Sequence, residues 1–453
     1  MTSLKHLAFL ALSFASSTPA VADSGIETRI DMAVRPFLDL PITGMSVAVS
    51  REGEIIARRD YGIADIAANR PVQPNTSFEI GSITKQFTAA VVLRLAEAGK
   101  IDIDGHIDAY LPELKGAADG VTVRHLLSHL SGLYDGPVTD DLTKPIASEQ
   151  VIATLREKGP VNAPGERFRY NNNGYYLLGL LIERVTGDGY GDHLKRVFFE
   201  PLGMDHMAIC ASPRGPNASA GYDHPARGPA TPVPFAIHHP SVNFSAGAIC
   251  GTSADLVRWQ VALTGGHVVS PASYNQMTTP ATLTNGQKTR YGMGMEIGER
   301  DGETVLYHGG ASSGFITELA YRPADRLGIA ILTNGIYSGD MVEQVESAVA
   351  RAVRGDAPQT YPDLPTDATT RARFAGTYSL GPVTMDVYEQ GAYLRAQPPG
   401  QVAARLLYQG QGRFLVQHDP EMSIRFQPDA AGVMEMIISK GGRDMPPGRR
   451  VGP

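Results

Sequence analysis

The chain has 453 residues, 42% hydrophobic and 19% charged, with 40 Lys and Arg against 47 Asp and Glu. That is ordinary globular composition, long enough for two or three domains with proper cores. A net charge of −7 without any Lys/Arg cluster argues against a nucleic-acid or anionic-membrane partner.

In chain order, residues 1–22 carry one basic residue, a short apolar run and the small-residue ending Ala20-Val21-Ala22. This pattern predicts a cleavable signal peptide, cut after Ala22, and so a secreted or periplasmic protein. The apolar run is too short to span a bilayer, and no later stretch is long enough. From about Ser24 to Leu40 apolar residues recur at helical spacing up to Pro41. The runs M-S-V-A-V-S and E-I-I-A-R-R around R-E-G predict a β-hairpin. Ser82 to Gly99 reads as a helix, with Phe87, Val91 and Leu95 on one face, and so does the stretch from 176 to 187. A loop rich in Pro, Gly and Ala covers Ala211 to Pro240. Strand signals return near Tyr291, in F-I-T-E-L-A-Y-R-P and in L-G-I-A-I-L-T-N-G, and a helix from Asp340 to Arg354 follows.

Residues 355–370 read as a linker. Beyond it, short alternating runs such as T-M-D-V-Y, A-Y-L-R-A and R-F-L-V-Q predict a small antiparallel β-domain over 371–453, with a barrel as its form. Strands at both ends with helices between them make the main unit, 23–354, a mixed α+β domain.

Three short segments can carry chemistry. Ser82 and Lys85 in G-S-I-T-K are three apart at a helix start, so they lie one turn from each other on one side. A lysine beside a serine hydroxyl in a partly desolvated site can take its proton, and free N–H groups at the helix start favour an oxyanion there. The plainer alternative is a capping serine and a solvated lysine. Tyr170 and Asn172 form Y-x-N, an acid or base with an amide that can orient the lysine or hold a carbonyl. Tyr307-His308-Gly309-Gly310-Ala311 offers a histidine for proton transfer or carboxylate binding, and glycines that let a substrate backbone approach a strand edge. Each of the last two also reads as ordinary packing or turn sequence.

Together and in this order, these segments resemble the penicillin-recognising serine hydrolases. That family spans class C β-lactamases, D-alanyl-D-alanine carboxypeptidases, D-aminopeptidases and a group of esterases. Further likeness lies in T-V-R-H-L-L-S-H-L-S-G-L at 122–133, P-G-E-R-F-R-Y-N-N-N at 164–173 and I-A-I-L-T-N-G at 329–335, so that it covers about residues 25–350. The resemblance implies a β-lactamase/transpeptidase-like domain, an antiparallel sheet flanked by helices with a helical subdomain. It implies Ser82 as nucleophile, Lys85 as its partner, and Tyr170 and Asn172 as the second motif. His308, Gly309 and Gly310 would form the substrate wall, and the N–H groups of Ser82 and Ala311 the oxyanion hole. His308 and Gly309 depart from the family's Lys-Thr-Gly, which weighs against efficient β-lactam hydrolysis. The C-terminal strands, opening F-A-G-T-Y at 374–378, resemble lipocalin-like β-domains appended to several such peptidases, here read as a stability or docking unit.

The expectation is an exported serine hydrolase, acting through an acyl-enzyme on Ser82 upon amide bonds next to D-amino acids, as in D-aminopeptidases or D,D-carboxypeptidases. β-Lactams or short-chain esters are alternative substrates, and a non-catalytic penicillin-binding or sensor protein is the alternative from another class. The substrate would be a small molecule or short peptide, with peptidoglycan as a periplasmic source. No cofactor or metal is expected: His125 and His129 fall at i, i+4 on one helix face, but no Glu follows His125. His238 and His239 have no partner at useful spacing. Cys210 and Cys250 either pair, as export permits, or stay as separate thiols. Finally, G-A-S-S-G at 310–314 matches the α/β-hydrolase pattern G-x-S-x-G around Ser312. A strand rather than a helix follows it, and His418 is its sole downstream histidine, so Ser82 is preferred over Ser312.

Overall fold

The computed structural model describes residues 24–38, 43–223, 233–335, 340–357, 361–399, 403–417 and 419–452. The signal-peptide segment and His418 lie outside these residues. The main elements, in chain order, are α1 (Ser24–Leu38), β1 (Gly44–Arg51), β2 (Glu54–Asp65), β3 (Arg70–Pro71), α2 (Thr84–Glu97), α3 (Asn172–Thr186), α4 (Ser253–Thr264), β4 (Glu296–Arg300), β5 (Glu303–Ser312), β6 (Phe315–Arg322), β7 (Leu327–Thr333) and α5 (Asp340–Arg354). They build a seven-stranded antiparallel sheet in the order β3-β2-β1-β7-β6-β5-β4. N- and C-terminal strands meet where β1 pairs with β7, Val47 opposite Ile331, which explains strand signals at both ends of one domain.

β1 and β7 are almost wholly buried because both sheet faces are covered. Val47, Val49, Ile329 and Ile331 pack against Ile30 and Val34 of α1 and Val345 and Val349 of α5. On the other face Ala48, Ala330 and Leu332 join a larger core containing Phe87 and Trp259. A strand buried on both faces reads as a continuous apolar run, which is how L-G-I-A-I-L-T reads. α2 is likewise buried nearly all round, and Phe87 stacks on Trp259 with ring centroids 4.0 Å apart. A helix enclosed in this way is a rigid support for what it carries.

A three-stranded sheet of Phe78–Glu79, Ile249–Gly251 and Ala208–Ile209 leads into the Ser82 segment. Cys210, just after the edge strand Ala208–Ile209, forms a disulfide with Cys250 of the central strand, with Cα atoms 5.0 Å apart.

After α5, eight strands from Gly376–Leu380 to Gly448–Gly452 form a closed antiparallel barrel, the first paired with the last. Its interior is filled by Phe374, Tyr378, Leu394, Leu406, Phe414, Phe426 and Met436. The stretch read as a linker overlaps the next helix by three residues. Ala368–Phe374 is already helical, capped by Asp367 accepting from the Thr370 N–H at 2.6 Å, and Phe374 packs inside the barrel. The first strand expected near Tyr291 begins at Glu296 instead. Among the described residues, no helix is long and apolar enough to cross a membrane.

Candidate active site

Ser82 sits in a single 3-10 turn, Gly81–Ile83, that runs directly into α2. The turn is pressed against β5. Gly81 has φ +54°, and a Cβ there would lie 2.8 Å from the Ala311 nitrogen. Gly310 faces the same seam, where a Cβ would stand 2.1 Å from the Ile80 carbonyl oxygen. Both positions therefore need glycine, one for its backbone angle and both for the close approach. The result sets the Ala311 amide beside the Ser82 turn, as an oxyanion pair requires.

Lys85 is the second residue of α2, one turn on from Ser82, and is fully buried. Its Nζ donates to Ser82 Oγ at 3.0 Å, to Asn172 Oδ1 at 2.9 Å and to the Ala246 carbonyl at 2.7 Å. Burial pulls its pKa down from 10.5 to about 7, and the Asp135 carboxylate opposes that shift. The two carbonyl oxygens can only accept. A neutral lysine must therefore spend both its N–H groups on them, which turns its lone pair toward the Ser82 hydroxyl.

Tyr170 stands over this pair, with Lys85 Nζ 4.7 Å from its ring centroid. Its hydroxyl is buried and makes no hydrogen bond of good geometry among the described residues. Burial raises its pKa, and the neighbouring Ser82 hydroxyl pulls the other way. The phenol is thus held in its protonated form near neutral pH. Asn171 caps α3 by accepting from the Gly174 N–H at 2.6 Å, which leaves Asn172 in the first turn, facing Lys85.

His308 is placed differently from expectation. Its side chain is buried and turned inward, with Nδ1 2.6 Å from the Gly309 carbonyl and Nε2 2.9 Å from Tyr291 Oη. Because the Gly309 carbonyl can only accept, the ring proton belongs on Nδ1 and Nε2 accepts from Tyr291. Burial, with Lys85 nearby, pushes His308 down to about 3, so it is neutral. A neutral, doubly engaged imidazole is not a cation for a substrate carboxylate. β5 presents Gly309 and Ala311, the less buried positions, instead.

Some participants carried no signal of their own. Ala246 acts through a backbone carbonyl, which no motif marks. Tyr291 is buried between His129 and His308 and became meaningful only through that packing. Asp135 lies in S-G-L-Y-D, two residues beyond the segment 122–133 noted for its resemblance. Its Oδ1 accepts from the N–H groups of Asn172 at 2.5 Å and Asn173 at 3.3 Å. Burial raises its pKa, against those two N–H groups and Lys85.

Other sequence candidates make structural contacts instead, His129 among them with its ring 4.3 Å from that of Tyr170. Ser312 donates to the Glu79 carboxylate, which also pairs with Arg214. His125 and His129 do not share a helix face, because the helix ends at Leu127 and His129 takes φ 58°. His125 serves the Thr122 cap, and His129 Nδ1 accepts from the Asn171 N–H at 3.0 Å. His239 caps the following helix through the Ser241 N–H. The described residues contain no group of three or more His, Cys, Asp or Glu able to hold a metal ion.

The family profile described as Beta-lactamase matches residues 30–354. Penicillin-binding protein 4* of Bacillus subtilis is 25% identical over 397 residues, covering 82% of this chain and 87% of its own. A D-aminopeptidase of Gluconobacter oxydans is 27% identical over 336 residues, covering 72% of this chain and 62% of its own. The octameric penicillin-binding protein homologue from Pyrococcus abyssi shares the fold, with TM-score 0.67 at 24% identity over 93% of this chain and 98% of its own. The chain belongs to the β-lactamase family of serine hydrolases.

Proposed function

We propose that this hydrolase is exported and cleaves amide bonds next to D-amino acids through an acyl-enzyme on Ser82. The observation that carries the mechanism is the buried Lys85, whose N–H bonds to the Asn172 and Ala246 oxygens leave its free-base lone pair for Ser82. In this reading Lys85 takes the Ser82 proton as Ser82 Oγ bonds the substrate carbonyl carbon. The N–H groups of Ser82 and Ala311 stabilise the oxyanion. The C–N bond then breaks as the neutral Tyr170 passes a proton to the departing nitrogen and is reprotonated from Lys85. Water, activated by the same groups in reverse, releases the acid.

The substrate class is supported by the likeness to a D-aminopeptidase and by the charges lining the site. Asp135 is half-buried beside Asn172, and its Oδ2 accepts no hydrogen bond among the described residues, which suits a substrate ammonium. His308 is neutral and Gly309 carries no hydroxyl, so the usual carboxylate contacts of a β-lactam are missing. A panel of D- and L-alanine p-nitroanilide, nitrocefin and p-nitrophenyl acetate tests the reading. Preference for the D-anilide supports it. Rapid nitrocefin turnover without D-anilide cleavage overturns it.

A further inference from the structure

The Ala246 carbonyl reaches Lys85 by an unusual route. The helix Pro240–Gly247 breaks at Phe244, whose φ of 36° and ψ of −127° are non-helical. These angles approximate the first central position of a type II′ turn, where glycine is the preferred residue. A phenylalanine there is a strained outlier, held only because its surroundings demand it. Ala246 lies in the last turn of this helix, where its carbonyl has no partner within the helix, and the break at Phe244 sets the direction in which that turn points it, toward a lysine on another helix.

Three contacts hold the break in place. Ser245 Oγ donates to the Tyr175 carbonyl of α3 at 2.9 Å, and the Ser245 carbonyl accepts from Thr88 Oγ1 of α2 at 2.7 Å. The Phe244 ring lies between Tyr176 and Tyr190, with centroids 4.9 Å and 5.2 Å away. Gly179, in the middle of α3, makes room: a Cβ there would stand 2.1 Å from Ser245 Oγ and 2.5 Å from the Phe244 ring. Glycine weakens a helix interior, so its presence marks this close approach. On the far side of the break, the Ile249 N–H bonds Thr84 Oγ1 at 3.2 Å, while the Ile249 carbonyl accepts from the Ile80 N–H at 3.0 Å. The strap thus grips the chain on both sides of Ser82.

We propose that Phe244, seated by Gly179 and latched by Ser245, is a positioning residue: its strained turn aims the Ala246 carbonyl at Lys85 and thereby the lysine lone pair at Ser82. The proposal rests on the Ser82–Lys85 reading given above. With alanine at 244, the chain has neither the ring that holds the turn nor glycine's freedom to adopt it. With glycine at 244 the ring is lost but the backbone angles are unstrained.

The test is the rate at which a fluorophosphonate probe labels the full-length protein, together with kcat and KM on D-alanine p-nitroanilide. Phe244→Ala and Gly179→Ala are expected to slow labelling about 10- to 100-fold and to lower kcat with KM little changed, as an ångström of misplacement does. Phe244→Gly is expected to label at least about fivefold faster than Phe244→Ala, although it removes the same ring. A merely structural residue would lower the folded fraction of each variant but leave kcat per folded, labelled molecule at the wild-type value in both. Equal rates for the two variants, or wild-type kcat in Phe244→Ala, overturn the proposal. Should Phe244→Ala not fold, Ser245→Ala decides: wild-type kcat in that variant, with Gly179→Ala also unimpaired, overturns it. Failure of the probe to label wild type overturns the Ser82 mechanism itself, and this proposal with it.

Discussion

Gly309 and Gly310 are adjacent on one strand, yet the same substitution should cost far more activity at 310 than at 309. An alanine methyl at 310 would stand 2.1 Å from the Ile80 carbonyl and 2.3 Å from Thr317 Oγ1. Those two oxygens are hydrogen-bonded to each other at 2.9 Å, so neither yields alone. The methyl sits roughly an ångström inside normal contact distance, and β5 must back away from the Ser82 turn by about that much. The Ala311 N–H moves with it. Losing one oxyanion donor costs on the order of 10²–10³ in kcat, so Gly310→Ala is expected to lose about 10²-fold. At Gly309 the nearest atom to a new methyl is the Thr317 carbonyl oxygen, 3.9 Å away, and Gly309→Ala is expected to lose less than about tenfold. The assay is kcat on D-alanine p-nitroanilide, with matched circular dichroism and Tm. Two folded variants with equal kcat would refute the oxyanion assignment.

The pH profile follows from Lys85. Burial lowers its pKa to about 7, so the free base exists above that pH and vanishes below it. Thus kcat/KM should rise about tenfold per pH unit up to about 7 and then level off; a flat profile from about pH 5 to 9 would remove Lys85 as base. Ser312→Ala loses a bond to Glu79 but should keep Ser82 labelling within about threefold, because the hydroxyl has no place in the chemistry. Near-complete loss in a folded variant would contradict that. Glu346→Ala acts on stability. It strips two hydrogen bonds, 2.8 Å and 3.0 Å, from the fully buried Arg322, and urea denaturation should show a loss of about 3 kcal/mol. An unchanged midpoint would show that Asp301 and Glu303 suffice as partners.

What was legible in the sequence was local. Ser82 and Lys85 share one helical turn, and Tyr170 and Asn172 flank one helix start, so spacing alone brings each pair together. Buried strands such as Leu327–Thr333 and the alternating barrel strands were legible for the same reason. What depends on distant packing was not. His308 falls in a recognisable segment, but its inward turn depends on Tyr291, 17 residues earlier. The His125 and His129 pairing failed because His129 adopts a left-handed backbone that helical periodicity cannot anticipate. The Ala246 carbonyl and the strained Phe244 are backbone features, and backbone direction leaves no residue-type signature.

The proposed mechanism requires an acyl-enzyme on Ser82. Intact mass spectrometry of the full-length protein, quenched in acid during turnover of a D-alanine ester, measures it directly. The expected result is a mass increase of one D-alanyl group, mapped by peptide digestion to Ser82 and absent from Ser82→Ala. An acyl adduct of equal yield in Ser82→Ala, or one mapped to another residue, would contradict it.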